Sequence, residues 1–368
     1  MQNIPFLSLD SQISLVESEI REAFERVLSS QWYILGKELQ RFEQQYAAFN
    51  QVGHCIGVGN GLDALHIALK TLDIGPGDEV IVPSNTFIAT WLAVTYSGAS
   101  IVPVEPRLST YNIDPDRIEA AITEKTRAIM PVHLYGQACE MTAIMRIAEK
   151  HGLAVIEDNA QAQGCTYNQK VTGSFGIINA TSFYPTKNLG AFGDAGALTT
   201  NDETLAQLAM VLRNYGSEKK YHNERIGYNS RLDELQAAFL AVKLKYMQVW
   251  TSERQAIGAF YDHKLAGIQG LTLPEIAENA GHVYHLYVVR TSKRDELQNY
   301  LEQKGIGTGV HYPVPPHLQK AYRQLGYQAG DFPIAEQLAQ TCLSLPLNPG
   351  MTTAALDLIT DSIQEFYA

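Results

Sequence analysis

The sequence predicts an α/β protein whose larger part is a mostly parallel sheet covered by helices on both faces. Three observations carry this reading. Between residues 55 and 202, short apolar runs alternate with stretches of helical periodicity, the pattern of strand–helix–strand crossovers. The helical stretches are long enough to cross back over a sheet, and their ends carry capping residues. After about residue 250 the alternation gives way to an α+β pattern suited to a smaller unit.

The predicted strands are 55–58, 80–83, 100–104, 128–134, 153–157, 180–183 and 196–199, with helices at 61–72, 88–97, 114–125 and 140–151 between them. Asp114-Pro115-Asp116 reads as a capped start with proline in the first turn, and Gly152 as the stop of the helix ending at His151. Residues 230–250 pattern as one long amphipathic helix, with Leu232, Leu235, Phe239 and Val242 on its apolar side. It is expected to link a large domain, 1–250, to a small one, 251–368. The latter should hold a helix near 251–266, a strand at 285–289, a helix at 294–304 and a proline-rich stretch around 311–316. No internal repeat or low-complexity segment interrupts this order.

With 368 residues, 45% apolar and 18% charged, the chain can bury a large core. Its net charge of −11 argues against a nucleic-acid binder, which usually presents a basic face. Four cysteines at 55, 139, 165 and 342 show no paired ligand spacing, the usage of a reduced, cytoplasmic protein without a structural metal. The N-terminal residues lack a basic-then-apolar leader, and no stretch is long enough to span a bilayer.

In an open parallel sheet, ligands bind beyond the carboxyl ends of the strands. Here those ends deliver Gly59-Asn60-Gly61, then Asn85, Thr86 and Phe87, then Glu105, Tyr135, Asp158 with Gln161, and finally Ser182 through Lys187. The glycine turn exposes amides at a helix start and reads as a phosphate cradle. It also satisfies a loose G-x-G-x-x-A pattern, but the acid that would hold a ribose is missing after Val82-Pro83-Ser84-Asn85, so a nicotinamide site is rejected. Asp158 alone reads as a helix cap, Phe87 alone as core, and Lys187 alone as a strand-end surface charge. Together they meet the demands of one cofactor, pyridoxal phosphate: an anion cradle, a stacking ring, an acid for the pyridine nitrogen and an amine for the aldehyde.

At these residues the chain resembles the pyridoxal-phosphate-dependent nucleotide-sugar aminotransferases of the DegT/StrS type, and the resemblance extends over essentially its whole length. The segments that carry it are Gly59-Asn60-Gly61-Leu62-Asp63-Ala64-Leu65, Pro83-Ser84-Asn85-Thr86-Phe87, Glu157-Asp158-Asn159-Ala160-Gln161-Ala162 and Ser182-Phe183-Tyr184-Pro185-Thr186-Lys187-Asn188-Leu189-Gly190. The stretches from Gly227 to Ala238 and from Gly309 to His317 complete the set. The resemblance implies the aspartate aminotransferase fold and a homodimer with shared active sites. It implies Lys187 as the Schiff-base lysine, Asp158 on the pyridine nitrogen, Gln161 near the ring hydroxyl and Phe87 stacked on the ring. By the same token Gly61, Leu62 and Ser182 hold the phosphate, and Asn229 reaches it from the other subunit. On the residues alone, Asn229 reads as the cap of the long helix. Two positions depart from the family pattern: Asn159 where alanine is common, expected to alter neighbouring contacts only, and Arg107 where an acid is expected, placed near the dimer or substrate entrance.

The implied reaction takes an amino group from L-glutamate and delivers it to a nucleotide-linked keto-sugar, with Lys187 moving the proton between the donor's α-carbon and the cofactor. Substrate contacts implied are Tyr33, Tyr184, Lys219, Lys220, His311 and Tyr312. The His-Tyr-Pro-Val-Pro-Pro-His wording from His311, with Tyr184 before Lys187, looks most like the branch that aminates C-3 of dTDP-3-keto-6-deoxyhexoses. C-4 amination is the alternative. A related dehydratase would need Lys187 replaced, and a regulatory protein on the same fold would be expected to lose some of Lys187, Asp158, Gln161 and Ser182.

Overall fold

The computed structural model describes residues 3–219 and 221–368; the expected substrate contact Lys220 lies outside them. Ser100–Val104, Glu79–Pro83, Thr126–Ile129 and Ala154–Val155 lie side by side and parallel, in that order. Parallel bridges from Val132 to Asp158 and from Asp158 to Ala180 carry the order on to Asn179–Ser182. That strand pairs antiparallel with Gly196–Thr200, which pairs antiparallel with His54–Val58. Within this array Gly196–Thr200 alone is reversed, so six strands point their carboxyl ends at one rim. Asp158 carries both central bridges and stands in the middle of that rim.

Several expected elements are shorter than the sequence pattern suggests. Regular pairing in the fourth strand stops at Ile129, because Pro131 has no N–H to extend the ladder. The stretch from 114 is α-helical only over Pro115–Ile118, followed by one 3₁₀ turn, Glu119–Ala121. Its cap is as expected, with Asp114 accepting the Asp116 N–H at 3.1 Å, and Gly152 ends Met141–His151 in the left-handed region at φ 64°.

The expected single helix over 230–250 is instead two, Glu234–Leu244 and Met247–Leu265, parted at Lys245 and Tyr246. The cap position is Asp233, so Asn229 does not cap this helix. The backbone around it is committed elsewhere: Tyr228 N–H bonds the Leu212 carbonyl at 2.7 Å and Ser230 N–H the Arg213 carbonyl at 3.0 Å. The boundary expected at 250/251 falls inside Met247–Leu265. The strand expected at 285–289 is Tyr287–Arg290, paired antiparallel with Cys342–Leu345.

Of the five hydrophobic cores among the described residues, the three largest form the framework of the site. Gly61–Thr71, Ile88–Ser97 and Glu203–Leu212 pack on one face of the sheet around Trp91 and Leu69. Asp10–Ser30 and Lys37–Phe49 pack on Glu234–Leu244 and enclose Phe183 and Leu189, on either side of Lys187. The C-terminal core gathers Met247–Leu265, the Tyr287–Arg290 pair and Thr353–Tyr367. Ile4 belongs to this last core and bridges Ile306, so the N-terminal segment lies with the C-terminal part rather than with the large sheet.

Candidate active site

Lys187 rides on a tight loop at the end of Asn179–Ser182. Phe183 N–H bonds the Ala195 carbonyl, Ala191 N–H returns to Phe183, and Lys187 N–H bonds Tyr184, each at 2.8 Å. Asn188 donates to the Val283 carbonyl at 3.0 Å. From beneath, the buried Lys243 donates to the Gly190 carbonyl at 2.6 Å, its nitrogen 4.0 Å from the centre of the Phe192 ring. Burial lowers the Lys243 amine to about 8. The sequence reading did not single out Lys243; its only local signal is a lysine on the buried side of an apolar helix.

The Lys187 side chain is half-buried. Desolvation lowers its amine to about 8, and the Asp158 charge opposes that shift. An amine in this range has a substantial neutral, nucleophilic fraction near neutral pH. Asp158 is 5% exposed. Its carboxylate accepts the Thr90 hydroxyl at 2.9 Å and the Ala160 N–H at 3.2 Å. Burial pushes its pKa above the ordinary value, while those two donors and the charges of Lys187 and His133 pull it back.

Around this pair stand the other expected cofactor residues. Buried Gln161 accepts the Tyr135 N–H at 2.6 Å and donates to the Tyr312 hydroxyl at 3.1 Å. Phe87 is 50% exposed, its ring 5.2 Å from that of Tyr312. Asn60 caps Gly61–Thr71 by accepting the Asp63 N–H at 2.8 Å, so the Gly61 and Leu62 amides stand first on a helix N-terminus. A Cβ on Gly61 would lie 2.6 Å from the Ser182 Cβ; only glycine lets this turn approach the serine. A Cβ on Gly196 would likewise meet the Asn60 carbonyl at 2.4 Å. Ser230, not singled out from the sequence, accepts the Gly59 N–H at 3.1 Å and donates to Asp63 at 2.6 Å, bracing the same turn.

His311 and the half-buried His285, the latter not singled out as a site residue, lie beside Lys187. Burial and the Lys187 charge lower His311 to about 4 and His285 well below its ordinary value, so both rings are neutral at pH 7. His311 bonds the Ser344 hydroxyl at 2.9 Å and stacks on Phe6. With Thr186, Leu286 and Asn348 they line a cavity of about 180 Å³.

Other strand-end residues are turned to structural use. Glu105 does not line the rim: it is buried, accepts the Ser84 hydroxyl at 3.0 Å, and takes the Ile334 and Ala335 amides at 2.7 and 3.0 Å. It thereby caps Pro333–Thr341 and fastens it to the sheet. Tyr135 is buried, with its hydroxyl on the His311 carbonyl. Arg107 has a plain physical account: it pairs with Asp114, Asp116 and Glu140 at 3.3, 2.9 and 2.8 Å, tying the loop after Ser100–Val104 to the start of Met141–His151. Asn159 accepts the Thr172 hydroxyl at 2.8 Å and donates to the Thr172 carbonyl at 3.2 Å, so its side chain is spent on that loop.

The structure thus brings together Lys187, Asp158, Gln161, Ser182, Gly61, Leu62, Phe87, His311 and Tyr312, with Tyr184 adjoining through its N–H to the Ser182 hydroxyl at 3.3 Å. Tyr33, Lys219 and Asn229 lie outside these contacts. Tyr33 and Asn229 are exposed, the latter bridging Asn214, and Lys219 ends an exposed hairpin strand, Ser217–Lys219.

A cradle open only to glycine, a depressed lysine amine, a buried carboxylate and an exposed ring on one rim fit pyridoxal phosphate. The arrangement defines a pyridoxal-phosphate-dependent aminotransferase. The chain belongs to the DegT/DnrJ/EryC1/StrS aminotransferase family, whose model matches residues 15–364, and pyridoxal 5′-phosphate is its cofactor. It is 50% identical over 363 residues to the dTDP-3-amino-3,6-dideoxy-α-D-galactopyranose transaminase of Aneurinibacillus thermoaerophilus, covering 99% of each chain. Streptomyces venezuelae DesV, solved in complex with a ketimine intermediate, superposes with a TM-score of 0.98 at 46% identity, over 100% of this chain and 99% of that one. Bacillus subtilis NtdA, solved with bound PMP, superposes at 0.92 with 33% identity, over 99% of this chain and 85% of that one. No helix among the described residues is long and apolar enough to cross a membrane.

Proposed function

We propose that this sugar aminotransferase moves the amino group of L-glutamate to C-3 of a dTDP-linked 3-keto-6-deoxyhexose, in the cytoplasm, supplying amino sugar for a surface polysaccharide such as an O-antigen or for a glycosylated metabolite. The observation that carries the chemistry is that Lys187, its amine lowered to about 8 by burial, lies within electrostatic reach of the buried Asp158 carboxylate. The 50% identity to a 3-amino-sugar transaminase supports the position of amination.

When bound, the cofactor supplies an electron sink for the carbanion formed at the donor's α-carbon. The chain's residues do the rest. Gly61, Leu62 and Ser182 would hold the phosphate through helix-start amides and a hydroxyl. Phe87 would stack on the ring. Asp158 would keep the pyridine nitrogen protonated by its charge. Gln161 would serve the ring hydroxyl. Lys187 would take the proton from the donor's α-carbon as a base and return it as an acid to the cofactor's aldehyde-derived carbon, two bonds away across the nitrogen. His311 and Tyr312 contact the sugar from the small-domain side, and Tyr184 from the lysine loop.

The chain works as a homodimer in this reading: Asn229 reaches the partner's cofactor phosphate, and the exposed Tyr33 and Lys219 are best placed to act in the partner's site as well. Trp32, Tyr33, Ile34, Tyr215 and Ile226 are exposed, large apolar side chains of the kind that a second subunit covers. The test of substrate and donor is direct. With dTDP-linked 3-keto and 4-keto sugars and glutamate, NMR of the product should place nitrogen on C-3; nitrogen on C-4 would overturn the assignment.

A further inference from the structure

The Asp158 carboxylate is held by a hydroxyl relay that no part of the reading above uses. The Thr90 and Asp158 oxygens lie 2.9 Å apart, as do those of Thr86 and Thr90. Both threonines are 1% exposed, so water does not compete for these bonds. A hydroxyl carries one proton. Since Thr90 spends its proton on the carboxylate, the Thr86–Thr90 bond has only one possible direction, Thr86 donating. The relay therefore runs from Thr86 to Thr90 to Asp158, each bond polarising the next toward the negative charge.

The relay is built into the start of one helix. Thr90 is the third residue of Ile88–Ser97, and Phe87 is its N-cap. The carboxylate thus sits against the positive end of that helix. The same turn that presents the stacking ring also presents the hydroxyl. Phe87, which would stack on the cofactor ring, and Thr90, which holds the acid, are joined through the Thr90 N–H to the Phe87 carbonyl at 3.2 Å.

We propose that Thr90, backed by Thr86, is a positioning residue that keeps Asp158 ionised and aimed at the pyridine nitrogen. Without the Thr90 proton the buried carboxylate becomes more basic, draws the shared proton off the ring, and leaves a neutral ring that accepts electrons poorly. Thr90 acts through Asp158 and touches no reacting atom. The inference rests on the cofactor reading of the site.

The test compares binding of apoprotein to pyridoxal phosphate and to its 1-deaza analogue, which has no ring nitrogen, by fluorescence titration. The wild type should prefer the true cofactor. Thr90→Val, nearly isosteric, should reduce that preference about tenfold, the scale of one charge-assisted hydrogen bond, without changing affinity for the analogue. It should also lower kcat with little change in the sugar KM, and Thr90→Ser should restore both. Thr86→Val, which leaves Thr90 in place, should reduce the preference two- to threefold, about the size of a weaker, indirect contribution; it also serves if Thr90→Val fails to fold. An unchanged preference in these variants, or equal losses for cofactor and analogue, would overturn the relay. A wild type that binds neither ligand would instead sink the cofactor reading itself.

Discussion

The two halves of the rim are built differently. On the cofactor side, Asp158, Gln161 and the Lys187 loop are each tied into the chain by several hydrogen bonds, and the lysine loop is locked from both directions by Asn188 and Lys243. Tyr33 and Lys219, expected to contact substrate, are exposed and lie outside that network, as does Asn229, expected to reach the phosphate from a second chain. The cofactor half is preorganised within one chain, where electrostatic work on developing charge has most effect. In the proposed homodimer these exposed residues would act in the partner's site.

The largest break in this comparison comes from its centre. Lys187→Ala should lower turnover about 10³-fold or more, the combined cost of losing covalent anchor and proton shuttle. Its thermal unfolding should stay at or above that of the wild type, because a desolvated ammonium is removed. Asp158→Asn, scored by steady-state kinetics, should cost about 10²-fold in kcat through the lost charge at the ring nitrogen. Phe87→Ala should weaken cofactor binding about fivefold, near 1 kcal/mol for one lost stacking contact. On the other half, Lys219→Ala should raise the sugar KM severalfold and leave kcat nearly intact, an exposed charge contributing about 1 kcal/mol or less. A kcat loss as large as that of Asp158→Asn would erase the distinction between the halves.

A pH effect sharpens the same contrast. Lys187 and Lys243 each have folded values of about 8, below the ordinary 10.5. The unfolded chain therefore binds more protons between those values, and apoprotein stability should rise with pH across that window. Lys243→Met should flatten the rise when denaturant midpoints are compared at pH 8 and pH 10. An equally steep rise in the variant would mean that Lys243 is not held desolvated beneath the lysine loop.

Much of the sheet was legible because its strands are short apolar runs at regular spacing, and because strand ends in a parallel sheet share one rim. Lys187, Asp158 and the Gly61 turn stand out in sequence for that reason. What escaped was fixed by tertiary contacts. Lys243 and Glu105 sit at positions whose partners lie 53 and 229 residues away, beyond the reach of any local pattern. Periodicity ran straight through Lys245 and Tyr246, where the chain divides one expected helix into two. It also made Asn229 a cap, since nothing local shows that the backbone beside it is paired to Leu212 and Arg213. Arg107 looked anomalous until its three acidic partners came together in space.

The central claim is that Lys187 is the amine that holds the cofactor. Purified protein loaded with pyridoxal phosphate, reduced with borohydride and digested, should carry the pyridoxyl mass on the peptide containing Lys187. A label on Lys243 or another lysine, or no stable label at all, would contradict it.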